Sequence, residues 1–365
     1  LIHFGKALEA AARGLRPFVV PSYRHAFNEL SALGMKEHRQ GEPIVCCDFA
    51  DPRIDSVGGR YYYSLVRDLI DAGYFPVFTE HRNTLSTFGT SRMKSLLLNQ
   101  RLGTVPTLEA LKETYFLITD RKISPSGQVE RTVVVSYEKR LCQGPDEIAF
   151  PVFVHPQLEG LPFQYRVEAV RPARLFFGGN TEEGKYDKNV IRDEYHMLTR
   201  REMLAVAAEV TPAFRPADAA SWLASNDLNS YVLCETQHCK IPRDRWLEAL
   251  GKADFFLACP GVGMPLCHNL IEAMAAGAVP ILQYAAYLPE PLTDRVNCMA
   301  FHNEASLRTT LDEIQNLPPA RILELRSNVR DYYDEILAPG RFAKRLFTGS
   351  TPKTLLLNAY RVPRP

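Results

Sequence analysis

The chain of 365 residues carries 43 basic and 42 acidic side chains, a net charge of +1. That balance offers no concentrated basic surface and excludes a nucleic-acid footprint. With 46% apolar and 23% charged residues the composition is that of a globular protein long enough for two domains with substantial cores, and no run reaches the roughly 20 apolar residues of a membrane span.

No stretch reads as a secretory signal. The first residue is Leu1 rather than methionine, which leaves room for a trimmed anchor or preceding domain. Residues 1–33 are helical in composition and broken by Pro17 and Pro21. Pro43–Phe49 is the first strong strand, and Asp48, Asp51, Arg53 and Asp55 follow it. After Gly58-Gly59 an amphipathic helix is predicted from about Arg60 to Ala72, closed by Gly73, and Phe75–Thr79 is the next strand. This βαβ unit reads as the opening of a Rossmann domain. Its glycine turn is not the full dinucleotide fingerprint, so a nicotinamide site gains little support.

Residues 84–111 are polar and helical in parts. Strands are predicted over Tyr115–Thr119, Arg131–Tyr137 and, interrupted by Pro151, Ile148–Val154. The segment His155–Pro162, rich in proline and glycine, reads as a linker. It divides the chain into an N-terminal domain over 1–158 and a C-terminal domain over 159–365. The second half opens on a strand at Arg174–Gly178, followed by Gly179, Asn180 and Gly184 and by Lys185, Lys188 and Arg192. A helix over His196–Val210, a strand at Ser230–Glu235 and a helix over Pro242–Lys252 come next. Beyond residue 283 a strand at Val296–Phe301 and helices over Glu304–Gln315 and Pro319–Ile336 are predicted, with a helical tail ending near Phe347. Alternation of strands and helices in both halves argues for two parallel-sheet α/β domains.

The most informative stretch is Lys252–Gln283. Phe255–Ala258 is a short apolar run suited to a buried parallel strand. Pro260, Gly261 and Gly263 break it. From Pro265 the period changes, with Leu266, Leu270, Ile271 and Met274 on one helical face. Gly277 stops that helix, and Ala278–Leu282 is a second strand. A glycine turn at the carboxyl end of a parallel strand, opening a helix, is where open α/β sheets bind anionic ligands. Cys267, His268, Asn269 and Glu272 crowd the first turns of this helix.

The segment from Cys259-Pro260-Gly261 through Glu272-Ala273 to Gly277 and Pro280 resembles the donor-sugar motif of GT-B glycosyltransferases, and most closely the exostosin type. The order of parts in the second half is also similar: an Arg-Leu-Phe-Phe-Gly strand, a Gly-Asn loop, an arginine-bearing helix, then the motif and a Leu288-Pro289-Glu290-Pro291 turn. The resemblance implies two Rossmann-like domains facing a central cleft, the first reading the acceptor and the second the nucleotide-sugar. It implies an enzyme of hexosyl or pentosyl transfer, working in polysaccharide biosynthesis on a glycan or glycoconjugate acceptor. Backbone amides near Gly261 and Gly263 would meet the diphosphate and Glu272 the ribose, with His268 and Asn269 beside them. The position eight before Glu272 is Met264, so a retaining mechanism built on paired glutamates is disfavoured. A nucleotide-sugar epimerase and a non-catalytic module binding a glycan or partner are the alternatives.

No basic residue precedes Gly261, so the diphosphate charge is expected to be met from the Gly178-Gly179-Asn180 loop with Lys185, Arg192 and Arg174. No Asp-x-Asp pair suited to a nucleotide-bound metal occurs, so neither metal nor other cofactor is expected. An inverting transfer needs a general base. Asp48, Asp51, Glu80, His81 and Asp120 follow first-domain strands, and each taken singly reads more readily as a cap or loop residue than as a base. Asp51 and Glu80 rank first, then His81. The eight cysteines show no metal-ligand spacing, Cys234, His238 and Cys239 coming nearest, and all are expected to be thiols in a reducing compartment. The expected location is the cytoplasm or the cytoplasmic face of a membrane, or the Golgi lumen where an N-terminal anchor has been removed. Membrane contact would come only through such a segment.

Overall fold

The computed structural model describes residues 15, 18–51, 54, 59–89, 93–122, 128–161, 170–182, 184, 190–211, 213–225, 230–348 and 353–358. Two compact units result: Leu1–Phe150 with Pro339–Pro365, and Pro151–Ala338. The division falls at 150/151 rather than in the expected linker at 158/159. The last residues, read from the sequence as a tail of the second domain, belong with the first unit.

The first six strands are β1 (Ile44–Asp48), β2 (Phe75–Thr79), β3 (Gly103–Val105), β4 (Tyr115–Thr119), β5 (Val129–Ser136) and β6 (Glu147–Ala149). The second unit contains β7 (Ala173–Gly179), β8 (Ala213–Phe214), β9 (Ser230–Glu235), β10 (Ala253–Leu257), β11 (Val279–Leu282) and β12 (Met299–Ala300), and β13 (Lys353–Leu356) follows. In unit 1 the described strands form one sheet of order β3-β2-β1-β4-β5-β13-β6, and in unit 2 one of order β12-β11-β10-β7-β9-β8. Every pairing is parallel. Both units are therefore Rossmann-like α/β layers, as the alternation of elements predicts.

Physical reasons for the elements are local. All five residues of β1 and of β2 are buried, the signature of strands covered on both faces. The helix Arg60–Asp71 buries Tyr61, Tyr62, Leu65 and Leu69, and Gly73 at φ +89° releases the chain into β2. The helix His268–Ala275 ends in a Schellman motif: Gly277 N–H donates to the Met274 carbonyl (2.9 Å) and Ala278 N–H to that of Ala273 (2.8 Å), with Gly277 at φ +68°. The helix Arg200–Val210 starts at a capping box of Thr199 and Glu202. It begins four residues later than expected, because His196 sits at φ +54°.

The expected strand over Ile148–Val154 stops at Ala149. Val152 and Phe153 lie at φ +67° and +51°, a backbone that a β-branched residue adopts only under strain. The helix expected over Pro242–Lys252 opens as a 3₁₀ turn, Arg243–Arg245, and becomes α-helical at Trp246–Gly251. Among the described residues no helix is long and apolar enough to cross a membrane.

Candidate functional site

In unit 1 the strand order reverses at β1 and β4, so their carboxyl ends frame the switch point of the sheet. Register brings three polar side chains level there. Asp48 ends β1 opposite Thr119 of β4, and Thr79 ends the neighbouring β2. The Asp48 carboxylate is fully buried. It accepts from Thr79 Oγ1 (2.7 Å), His81 Nε2 (2.7 Å), Thr119 Oγ1 (3.1 Å) and Arg121 Nη1 (3.4 Å). Burial pushes the Asp48 carboxyl up, but the bonds from His81 and Thr79 and the charges of His81 and Arg121 outweigh it, and the group lies below the usual carboxylate range. With Asp48 accepting at Nε2, His81 carries its proton there and presents Nδ1 as a lone pair. Its side chain is 30% exposed. The arrangement can take a proton from a hydroxyl while an ionised carboxylate steadies the imidazolium.

The other acidic candidates stand apart from this row. Asp120 accepts from Ala50 N–H and Asp51 N–H (both 2.9 Å) and from Tyr137 Oη (2.8 Å). It thus ties down the loop after β1. Asp51 is half-buried in that loop. Glu80 is half-buried, and its N–H donates to the Val105 carbonyl (3.0 Å).

In unit 2 the order reverses at β7 and β10. The loops leaving these strands are joined by a residue that the sequence reading passed over. Arg200, buried at the start of its helix, donates from Nη1 to the Asn180 carbonyl (2.6 Å) and from Nη2 to that of Pro260 (3.2 Å). A signal did exist: Arg200 and Arg201 occupy the first turn of a helix, where cations oppose the helix dipole. Asn269 reaches the same place, its Nδ2 donating to the Gly178 carbonyl (3.1 Å).

The glycines have packing reasons. A Cβ on Gly178 would lie 2.7 Å from the Trp246 ring. One on Gly179 would lie 3.4 Å from Arg200 Nη1. One on Gly261 would lie 2.8 Å from the Met264 carbonyl oxygen. The Gly261 N–H, expected to face phosphate, donates to the Pro265 carbonyl (3.2 Å) and closes the turn; Gly263 within it is buried. Burial pushes the Cys259 thiol up to about 12 despite the nearby Arg200 charge, and raises Cys267 likewise. Both stay protonated near neutrality and are poor nucleophiles.

Glu272 and His268 hold the strained segment before β7. Glu272 is 2% exposed; it accepts from His155 N–H (3.0 Å) and from Trp246 Nε1 (2.6 Å). His268 Nδ1 bonds the Phe153 carbonyl (2.8 Å), with the His155 ring edge-on at 5.0 Å. These two helix residues therefore grip residues 153–155.

Two of the three expected cations, Arg192 and Arg174, do not converge. Arg192 is exposed and pairs with Glu202. Arg174 lies at the amino end of β7, buried against Asp254 (3.0 Å), which Arg326 also approaches (3.4 Å). Lys185 lies outside the described residues. One cysteine expectation is corrected: Cys234 and Cys239 form a disulfide. β9 ends one residue past Cys234 and the chain turns back at once, since His238 and Cys239 N–H both donate to the Glu235 carbonyl. The remaining described cysteines are free thiols.

No protein-family model and no curated protein matches the chain. The solved structures similar to it include the following two. One is AviGT4, a glycosyltransferase involved in avilamycin A biosynthesis, at 14% identity over 85% of this chain and 100% of that one, with a TM-score of 0.36. The other is the N-terminal domain of a Candida albicans trehalose-6-phosphate phosphatase, at 10% identity over 88% of this chain and 71% of that one, also with a TM-score of 0.36. Scores of this size carry no argument, and the fold assignment rests on the strand orders above.

Proposed function

We propose that the protein is a GT-B glycosyltransferase of exostosin-like character. It moves a hexosyl or pentosyl group from a nucleotide-sugar to a glycan or glycoconjugate acceptor, with inversion and without a metal. The observation that carries the reading is Arg200 joining the Asn180 and Pro260 carbonyls at the unit 2 switch point. A buried guanidinium fixed there, with Asn269 and the amino end of the His268–Ala275 helix, favours the two phosphates of a nucleotide both before and after the sugar leaves.

In unit 1, His81 is the base. Its Nδ1 takes the acceptor hydroxyl proton as that oxygen attacks the anomeric carbon, and the bond to the diphosphate oxygen breaks. Asp48 positions His81 and offsets the charge it gains. Asp51 and Glu80 rank above His81 from sequence, but the carboxylate that bonds the imidazole is Asp48. The disulfide favours an oxidising compartment such as the Golgi lumen over a reducing one.

A panel of nucleotide-sugars, with and without oligosaccharide acceptors, tests the reading. Transfer should need both substrates and persist in excess chelator. His81→Ala should lower kcat by roughly 10²–10⁴ with the donor KM little changed, the range for losing a general base. Turnover of a donor without acceptor would point to an epimerase instead, and loss of transfer in EDTA, restored by manganese, would refute the metal-free mechanism.

A further inference from the structure

The Cys234–Cys239 disulfide joins residues only 5 positions apart. Loop-closure stabilisation grows with the logarithm of the closed loop, so a ring this small gains little from it. The effect of the bond is local: it closes the turn that follows β9. Both cysteines are buried, while Gln237 and His238 at the tip of the turn are exposed.

The turn is built onto the carboxyl end of β7. Glu235 accepts from Thr181 Oγ1 (2.5 Å) and also pairs with Arg215. Thr236 N–H donates to the Gly179 carbonyl (2.9 Å). The Gln237 amide bonds Thr181 Oγ1 (3.2 Å) and Asn180 Oδ1 (3.1 Å). The three residues after Cys234 therefore bond residues 179–181. Asn180 is the residue whose carbonyl accepts from Arg200 (2.6 Å), and the same guanidinium donates to the Pro260 carbonyl (3.2 Å). A continuous chain of bonds runs from the disulfide to the guanidinium at the unit 2 switch point. Inside the turn itself, His238 N–H and Cys239 N–H donate to the Glu235 carbonyl (2.9 and 2.7 Å). Bonds of this kind in an exposed turn open locally at small cost, and opening uncovers the sulfurs.

We propose that the disulfide is a redox latch on the donor side of unit 2. Closed, it holds residues 179–181 in the geometry that Arg200 joins to Pro260. Reduced, it releases them and weakens the binding of a diphosphate. The exchange partner is a dithiol. One of its thiolates attacks a sulfur of the opened turn, breaking the Cys234–Cys239 bond and forming a mixed disulfide. The partner's second thiolate then closes the partner's own disulfide. Two electrons and two protons pass from the dithiol to Cys234 and Cys239, which become thiols. The reverse exchange, with the oxidised partner, closes the latch. The consequence for the diphosphate rests on the donor reading above; the latch itself does not. The donor site is then competent only where the chain meets an oxidant, in agreement with the compartment that the disulfide favours.

Amide hydrogen exchange and titration calorimetry on the full chain test this, before and after treatment with a dithiol and again after reoxidation. The probes are inorganic pyrophosphate and the diphosphates of uridine, guanosine, adenosine and cytidine. Reduction should speed exchange at residues 179–182 by at least about tenfold and leave β10 and β11 unchanged. It should raise the dissociation constant of pyrophosphate by at least about tenfold, and reoxidation should reverse both effects. Cys234→Ala combined with Cys239→Ala should match the reduced chain and give no response to the dithiol. Unchanged exchange at 179–182 in the reduced chain would overturn the latch. Faster exchange throughout unit 2 would overturn it too, since that is the result of a disulfide that only stabilises the fold. Faster exchange at 179–182 with unchanged pyrophosphate affinity would overturn the coupling to the donor. Binding of none of the probes to the oxidised chain would sink the donor reading, and the exchange result would still decide the latch.

Discussion

Glu272 shows how a residue can be legible in type and not in role. Its place after a glycine turn, one helical turn beyond His268, resembles a ribose-binding carboxylate. In the fold its two oxygens accept from His155 N–H and Trp246 Nε1. Neither donor is a sequence neighbour, so no spacing rule could bring them to it. His81 shows the converse. It ranked behind two carboxylates because a βαβ pattern, though it sets β1 beside β2, does not say which side chains meet at their ends. That adjacency puts Asp48 within a hydrogen bond of the imidazole. The reading of Glu272 is open to measurement. Glu272→Gln would turn an amide N–H₂ toward one of two donors that need an acceptor. Leaving one buried donor unsatisfied costs roughly 1–3 kcal/mol. The urea midpoint of the ligand-free protein should fall by the corresponding amount at constant slope. An unchanged midpoint with weakened nucleotide binding would instead restore the ribose role.

Among the elements, those set by local pattern were legible: β1, β2, β4 and β9, and the helices Arg60–Asp71 and His268–Ala275 with their glycine stops. Those set by distant partners were not. β3 is three residues long and β13 four, too short for period to show, and each exists because a neighbouring strand offers a free edge. The helix Arg341–Phe347 was expected, but its anchor was not. Asp68, buried on the helix Arg60–Asp71, accepts from Gly340 N–H and Ala343 N–H (both 2.6 Å) at its amino end. Burial pushes the Asp68 carboxyl up to about 7, although those two amides pull it back and Asp71 adds to the rise. An unfolded aspartate titrates near 4. Between about pH 4 and pH 7 the folded chain therefore holds a proton that the unfolded chain has released, and stability falls as pH rises through that window. Asp68→Asn removes the titration. The melting temperature of the wild type should drop from about pH 5 to about pH 7.5 relative to the variant's, the difference levelling off above. Parallel pH profiles would show that Asp68 is ionised throughout.

At the scale of the molecule, the two-domain layout was legible and the path of the chain was not. The proline-rich stretch at 155–162 resembled a linker, yet unit 2 already begins at Pro151, where Val152 and Phe153 are gripped through His268 and Glu272. Unit 1 is discontinuous, because β13 lies between β5 and β6 in its sheet. Lys353–Leu356 pair with Val133–Ser136 on one side, and Thr354–Leu356 with Glu147–Ala149 on the other. Deleting residues 339–365 would leave β6 without a partner, expose the β5 edge and remove both amides that satisfy the Asp68 carboxylate. Buried backbone groups left without partners are expensive enough to unfold a marginally stable unit. Unit 2 runs unbroken from Pro151 to Ala338 and keeps its six strands, its disulfide and the Arg174–Asp254–Arg326 cluster. Two fragments therefore have opposite expected fates. Residues 151–338 should fold alone, melt cooperatively and retain binding of a nucleoside diphosphate, since every residue assigned to the donor lies within them. Residues 1–150 should not give a cooperative transition unless 339–365 is restored, in trans or through a short linker. Dispersed amide resonances for 151–338 and collapsed ones for 1–150 would support the division. A cooperative, well-dispersed 1–150 fragment would show that β13 is an accessory strand and that unit 1 is complete without it.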